Sequence, residues 1–496
     1  MSNKYLIWAA VIISIIIIIV HNMLIFPWML DDSYISFRYA ENFASGQGLV
    51  YNIDDKVEGY TNFLWVVFLG LGKKIGIDII IFSKILGTLF CIGCIFLLIN
   101  SHRIIKNISA SISITATLFL GTCGIFTPWA TSGMEVSMFA FFILFSVLLY
   151  VSTKQSTNTN WRLGFVGFIS AISTMIRPEG MLIFVIIFID QLVESIKSKN
   201  RLIIYLAIFF LVTYLPYFAW RYFYYGYLLP NTFYAKVGFS IDQMIRGIQY
   251  FVRWLNPGFL LVISALLALF SQKWFRKYSN LSLLPLLVIF YILYIICVGG
   301  DCMPAFRFFA PIMPLLCLIS AMSIILLTKT KRATIFIVLV IVLFNIAQMR
   351  IDTEIYTHII NDKVAHYGKE VGLWLKANVP QNAIIATNTA GSIPFYSGLK
   401  TIDMLGMNDK HIAHREISSL GKGWAGHEKG DGAYVLSIKP DYIQFGSSLG
   451  SKYPVFLSDG EIYNDSTFHD RYALKIYRLD SGKDLLIYEK KENNNK

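Results

Sequence analysis

Charge is scarce in this sequence. Asp, Glu, Lys and Arg make up 15% of its 496 residues, against about 25% in a soluble globular protein, which excludes a soluble enzyme of this size. Cysteine is scarcer still: Cys91, Cys94, Cys123, Cys297, Cys302 and Cys317 all lie within or beside apolar segments, and none falls in the polar C-terminal region. No disulfide framework or cysteine zinc site can be read from that distribution. The Cys91–Cys94 C-x-x-C lacks the βαβ context of a redox motif and reads as helix packing. Also missing are an internal repeat, an H-E-x-x-H pattern and a strand leading through glycines into a helix, so a zinc protease or nucleotide site has no support.

Apolar residues, by contrast, reach 55% and gather into long runs ahead of residue 350. The first, Tyr5 to Trp28, exceeds the ~7–15-residue core of a signal peptide and is followed by no small-residue cleavage site, so it reads as a retained span. Further runs near the spanning length of about 20 residues are Ile79 to Asn100, Ile108 to Phe126, Met134 to Val151, Leu202 to Trp220, Leu281 to Val298, Phe308 to Leu327 and Ala333 to Gln348. Three weaker runs, Leu163 to Ile176, Met181 to Leu192 and Phe259 to Phe270, bring the expected total to about eleven spans.

The net charge of +12 is topological rather than a nucleic-acid signal. With Lys4 inside, every second connection carries Lys and Arg: Arg103 and Lys106, Lys154 and Arg162, Lys197 to Arg201, Lys273 to Lys277, Lys329 to Arg332. That pattern sets the N-terminus in the cytoplasm and the C-terminal region outside. The opposite connections, Met29 to Asp78, Thr127 to Gly133, Arg177 to Gly180, Arg221 to Pro257 and Gly299 to Arg307, are where chemistry is expected. Tyr34 to Ala44, Asn62 to Leu71 and residues 241–254 read as interfacial helices rimming an outer vestibule.

After residue 350 the spacing of Val364, Tyr367, Val371, Trp374 and Leu375 predicts a helix up to Pro380. Strands are expected at Ala383 to Thr387, Tyr434 to Ile438, Tyr442 to Phe445 and Leu485 to Tyr488. The expected organisation is a polytopic α-helical membrane module over 1–349 with a first outer loop at 29–78, an extracytoplasmic α/β or α+β domain over 350–489, and a disordered tail at 490–496.

The sharpest chemical feature is Asp31-Asp32, two adjacent carboxylates directly after the first span. Acids so near hydrocarbon are costly and point to function. One can take the proton of an attacking hydroxyl while its neighbour tunes it or helps hold a divalent cation. Asp31 is the first choice as base and Asp32 the alternative; the competing reading is a solvated acidic turn.

The same loop continues through Tyr34, then Arg38-Tyr39-Ala40-Glu41-Asn42, Gly46-Gln47-Gly48-Leu49-Val50-Tyr51-Asn52 and Val57-Glu58-Gly59-Tyr60-Thr61. Those blocks resemble the family of the mycobacterial terminal β-arabinofuranosyltransferase of the cell wall and its proteobacterial relatives, polyprenyl-phosphate-dependent membrane glycosyltransferases of the GT-C fold. Further similar blocks are Leu229 to Lys236, Gly299-Gly300-Asp301 with Arg307-Phe308, and Asp403 to Asp409 with Gly426-His427-Glu428-Lys429. Cys302 stands where such relatives often have a large aromatic.

The resemblance implies a GT-C-like fold and inverting transfer of a sugar, arabinofuranose or another pentose or a hexose, from a polyprenyl phosphate to a cell-envelope glycan or glycolipid at the bacterial plasma membrane. It implies Asp31 and Asp32 as catalytic carboxylates. No cofactor is required by it, and relatives differ in needing a divalent cation. Such a transfer also needs positive charge for the departing phosphate, for which Arg307, Lys236, Arg177 and Arg38 are the candidates. Tyr34, Glu58, Tyr60, Glu135, Glu179, Asn231, Asp301, His427 and Glu428 complete the candidate substrate contacts. The rivals are a lipid-linked glycan transporter, which would call for paired broken helices in two related halves, and a non-catalytic glycan-binding membrane protein.

Overall fold

Every one of the expected apolar runs folds as helix. The computed structural model describes residues 3–156, 159–238, 240–350 and 353–491. Within them the runs become helices Asn3–Leu24, Ile79–Ile99, Ala110–Gly121, Val136–Thr153, Asn160–Ile176, Gly180–Lys197, Ile203–Tyr225, Ile241–Leu269, Leu283–Cys297, Met313–Leu327 and Lys331–Ala347.

Six segments among the described residues are long and apolar enough to cross a bilayer: Lys4–Leu24, Ile79–Ile99, Val136–Thr153, Ile203–Tyr225, Ile241–Leu267 and Pro304–Leu327. The expected count of about eleven is therefore not met by length and composition alone. Ala110–Gly121 has 12 residues, about 18 Å at 1.5 Å per residue against a hydrocarbon core of about 30 Å. Gly180–Lys197 carries Asp190, Glu194 and Lys197.

One expectation is corrected outright. Residues 241–254 and the weak run after Phe259 are a single helix, Ile241–Leu269, with Pro257 inside it. A proline removes one backbone hydrogen bond but need not end a helix in apolar surroundings, where the alternative is to expose several more polar groups.

The chain divides into two compact units, each assembled from three stretches. The first takes the described parts of Met1–Pro27, Ser83–Trp220 and Gly247–Asn361; the second takes Trp28–Phe82, Arg221–Arg246 and Asp362–Lys496. In the helical first unit, Cys91, Cys94, Cys123 and Cys317 are buried free thiols, in line with the packing role expected of the C-x-x-C. Small residues let its helices close up: a Cβ at Gly167 would fall on the Leu206 carbonyl oxygen.

The second unit is built on a five-stranded sheet. Strands β1 (Ile384–Thr387), β2 (Lys400–Asp403), β3 (Tyr442–Gln444), β4 (Tyr472–Arg478) and β5 (Asp484–Lys490) lie in the order β2-β1-β3-β5-β4. β1 runs parallel to β2 and β3, and β5 antiparallel to β3 and β4. Alternation along the strands sends Ile385, Leu485 and Ile487 to one face, with Val371 and Leu375 of the Val364–Asn378 helix. Ala386, Ile402 and Ile443 go to the other, with Val435 and Leu436.

Those last two residues correct a strand assignment. The run Tyr434 to Ile438 is part of a helix, Gly432–Ile438, because the Asp431 side chain accepts the Tyr434 N–H and caps it. A short apolar run does not distinguish the two structures by periodicity. The expected tail also starts too early: Lys490 ends β5, Lys491 Nζ donates to the His469 carbonyl, and residues 492–496 lie outside the described residues.

Candidate active site

Asp31 and Asp32 open the Asp31–Ala44 helix, where carboxylates favour the positive end of the helix dipole. The Asp31 carboxylate is seated on the turn that leaves β1. Its Oδ2 accepts the Gly391 N–H at 3.0 Å, and its Oδ1 accepts both the Ser392 N–H at 2.8 Å and the Ser392 hydroxyl. Only glycine fits at 391, since a Cβ there would fall on the Asp31 carbonyl oxygen. Burial pushes the Asp31 carboxyl up to about 6; the Ser392 and Gly391 hydrogen bonds pull it down, and the neighbouring Asp32 charge adds to the rise.

Oδ1 thus spends both lone pairs on donors, whereas Oδ2 spends one. The remaining lone pair of Oδ2 can receive a proton. Sequence reasoning missed Gly391 and Ser392. The one local signal was a Gly-Ser pair after an expected strand, at a separation of 361 residues from the acid it serves.

The rest of the first-loop motif braces the second unit instead of presenting side chains to a ligand. The Arg38 guanidinium donates to the carbonyls of Tyr51 at 2.7 Å, Pro394 at 2.5 Å and Leu399 at 2.8 Å, and to Asn52 Oδ1 at 3.3 Å. It acts as a clamp on its own chain, with donors on all three guanidinium nitrogens engaged by main-chain and Asn52 oxygens. Tyr34 is buried among Phe37, Phe395 and Tyr396. Tyr60 shares a hydroxyl–hydroxyl hydrogen bond of 3.0 Å with Tyr225.

Glu58 forms a two-point ion pair with Arg221, Oε1 to Nε at 2.8 Å and Oε2 to Nη2 at 2.7 Å. The Asn231 amide donates to the carbonyls of Gly406 and Met407 at 2.9 Å and of Asp409 at 3.2 Å. Asp403 accepts from the Leu405 and Asn408 backbones and the Asn408 amide, and burial pushes it up to about 6. Tyr34, Glu58, Tyr60 and the Asn231 amide nitrogen thus engage other groups of the protein in this arrangement, while Asn231 Oδ1 is buried without a hydrogen-bond partner among the described residues.

Glu428 belongs with them. It accepts the N–H groups of Gly421 at 2.8 Å and Gly423 at 2.7 Å and pairs with Arg246 at 2.9 Å. The glycine-rich loop at residues 420–427 thus closes its own amides around a carboxylate of the same chain. His427 stacks on Phe456 at a ring separation of 5.7 Å. Lys236 lays its aliphatic stem along Gly426; among the described residues no carboxylate lies within ion-pair distance of its ammonium.

The other candidates assemble in the first unit. Arg177 donates to Glu135 at 2.5 Å and to both oxygens of Glu179 at 2.7 and 3.2 Å. Arg307 forms a two-point pair with Asp301 at 2.7 and 3.1 Å. Phe308 lies 5.5 Å from the Arg177 guanidinium and 5.3 Å from that of Arg307. Each guanidinium already faces as much negative charge as it carries, or more, which disfavours a phosphate there. Among the described residues no group of three or more His, Cys, Asp or Glu is arranged to hold a metal.

Solved structures share this architecture. ArnT from Cupriavidus metallidurans, bound to undecaprenyl phosphate, aligns with a TM-score of 0.59 at 10% identity over 81% of this chain and 86% of that one. The Archaeoglobus fulgidus oligosaccharyltransferase aligns at 0.54, with 10% identity, over 81% and 64% of the two chains. The mycobacterial arabinofuranosyltransferase AftD aligns at 0.55, with 12% identity, over all of this chain and 40% of that one. The fold is GT-C-like.

These identities speak for the GT-C-like fold alone. In sequence the chain is similar to the terminal β-(1→2)-arabinofuranosyltransferase of Mycobacterium tuberculosis, 26% identical over 269 residues, which are 51% of this chain and 42% of that protein. The chain thus spans less than half the length of that curated relative. A family model described as a domain of unknown function (DUF8728) matches residues 353–488.

Proposed function

We propose that this multi-pass membrane protein is a glycosyltransferase that moves a sugar, arabinofuranose or another pentose, from a polyprenyl phosphate to a hydroxyl of a cell-envelope glycan or glycolipid, with inversion. The observation that carries the reading is the seated Asp31 carboxylate beside Asp32. A base poised near neutral pH suits proton removal from a sugar hydroxyl. In this reading Asp31 Oδ2 takes the hydroxyl proton, the acceptor oxygen bonds to the anomeric carbon, and the bond from that carbon to the phosphate oxygen breaks. The lipid phosphate leaves with the electron pair. Burial keeps the Asp31 pKa high, and the like charge of Asp32 adds to the rise.

Lys236 is the cation we assign to the departing phosphate, because Arg38, Arg177 and Arg307 are spent on carbonyls or carboxylates. The curated likeness to an arabinofuranosyltransferase and the ArnT likeness, in a structure holding undecaprenyl phosphate, support the donor class. The residues after 350 and the first outer loop are taken to lie on the outer face of the plasma membrane, following the positive-inside pattern.

The test is release of lipid phosphate from a panel of polyprenyl-phosphate sugars by purified wild type, Asp31→Asn and Asp32→Asn, with and without chelator. Turnover that Asp31→Asn abolishes while donor binding persists supports the base assignment. Bound donor with no turnover by wild type, across a full acceptor panel, overturns enzymatic function in favour of transport or glycan binding.

A further inference from the structure

A large apolar ring on a loop of the sheet-bearing unit has little protein around it. Trp424 is 71% exposed, at the tip of the glycine-rich loop whose base is held by Glu428. Leaving so large an apolar side chain in water forgoes one of the larger burial gains available to a residue. The loop is nevertheless tightly placed. Ser240 Oγ donates to the Leu420 carbonyl at 3.1 Å, the Arg246 guanidinium to the Gly423 carbonyl at 2.9 Å, and Arg246 also pairs with Glu428. All three bonds fasten the loop to residues 240–246, the start of the helix that continues as the apolar segment Ile241–Leu267.

That helix start is inside out. Ile241, Met244 and Ile245 are exposed, Ile241 by 77%, while Gln243 between them is fully buried. Aliphatic residues outward and Gln243 inward make the pattern of a lipid-facing helix from the first turn, interrupted there by the exposed Asp242, which faces Lys422. Lys422 adds an exposed cation next to Trp424 and lies 3.9 Å from Asp242 of the same turn. Tryptophan with a neighbouring lysine is the composition found at the headgroup level of membranes.

We propose that the 420–427 loop is a membrane anchor: Trp424 enters the headgroup layer of the bilayer beside the first turn of the Ile241–Leu269 helix, and Lys422 meets lipid phosphates. The partner is a lipid surface, and the continuity of the exposed aliphatic face with an apolar segment long enough to span argues for it over a soluble glycan. The anchor is independent of whether the protein transfers a sugar. It gives the sheet-bearing unit a fixed attachment to the surface on which a lipid-linked substrate would arrive.

Nitroxide collision measurements on the full-length protein in nanodiscs test this. Cys297 and Cys302 are exposed and would be replaced by serine first; a label is then placed by Trp424→Cys or, as reference, by Ile476→Cys on β4, where the native side chain is 62% exposed. The label at 424 should show an oxygen-to-nickel-chelate collision ratio several-fold above that at 476. Equal ratios overturn the anchor, as does a water-exposed label that an added glycan shields, which would make Trp424 a sugar platform. A second readout uses Trp424→Phe in brominated-lipid nanodiscs. The wild-type-minus-variant difference emission, which belongs to Trp424 among the chain's ten tryptophans, should be strongly quenched by lipid bromines, and a difference emission that bromines leave unchanged overturns the proposal.

Discussion

Two acidic clusters in this molecule are held in opposite ways. Glu135 and Glu179 face the guanidinium of Arg177, so their charges are answered by a charge. Asp31 is held by two backbone N–H groups and a hydroxyl, none of them charged. The Glu135 and Glu179 carboxylates are tied to a guanidinium, whereas Asp31, buried on neutral donors beside a like charge, is pushed up to about 6 and can change protonation near physiological pH. Chemistry is expected at the second kind of acid, and rigidity at the first.

The strongest test of that contrast removes the charge at the seated acid. Asp31→Asn should lower turnover by about 10²–10⁴-fold, the usual contribution of a general base, read as lipid-phosphate release. Asp32→Asn should lower it less and move the acid limb of the pH profile to lower pH, since a charge that raises the Asp31 pKa is gone. Turnover that survives in Asp31→Asn and disappears in Asp32→Asn would reverse the assignment.

Breaking the locked cluster should act on stability instead. Arg177→Met removes the positive charge facing two buried carboxylates and should cost about 3–5 kcal/mol, read as a lower midpoint of unfolding in detergent. The surviving folded fraction should keep its pH profile. A shifted profile with unchanged stability would mean that Arg177 serves the reaction.

Smaller effects sharpen the comparison. Wild-type turnover should fall as pH drops through about 6, where Asp31 gains its proton. Ser392→Ala removes a donor that favours the charged form, so the acid limb should move to higher pH, while Ser392→Thr, which keeps a hydroxyl, should restore it. The smallest effect is expected from Lys236→Gln: a loss of about 1.5–3 kcal/mol of charge-assisted bonding to phosphate, seen as weaker donor binding with the acid limb unmoved.

The seated acid also carries a stability cost whose sign can be worked out. Its folded pKa, about 6, lies above the ordinary 3.8, so the folded state holds a proton that the unfolded chain has released between those values. The stabilising contribution is present below 3.8 and is lost as pH rises through about 6. The pH range in which Asp31 can serve as a base is the range in which it no longer favours folding.

Much of the architecture was legible because hydropathy and helical spacing are local. Each apolar run became a helix, and three of the five strands fell on expected runs. The misreadings came from interactions that spacing does not encode: Asp431 capping a run rich in strand formers, and apolar surroundings carrying a helix through Pro257. At the site, Asp31 and Asp32 were visible as acids beside a span, but the seat at Gly391 and Ser392 was not. Motif residues proved harder to weigh. Arg38, Glu58 and Asn231 sit in recognisable blocks, and a block held together by bracing contacts reads the same in sequence as one that touches substrate.

The Arg38 clamp bears on how the protein is made. Its carbonyl partners at Pro394 and Leu399, and the Asp31 seat at Ser392, are synthesised more than 350 residues after the loop that needs them. At about 5–20 residues per second the loop emerges some 20–70 s before its partners do. During that interval a guanidinium destined for burial has to remain solvated, and the acidic pair has no seat. A nascent chain halted between Leu327 and Ser392 would hold its spanning segments but lack the Asp31 seat, so that in this reading reactive competence is acquired only once synthesis has passed the turn after β1.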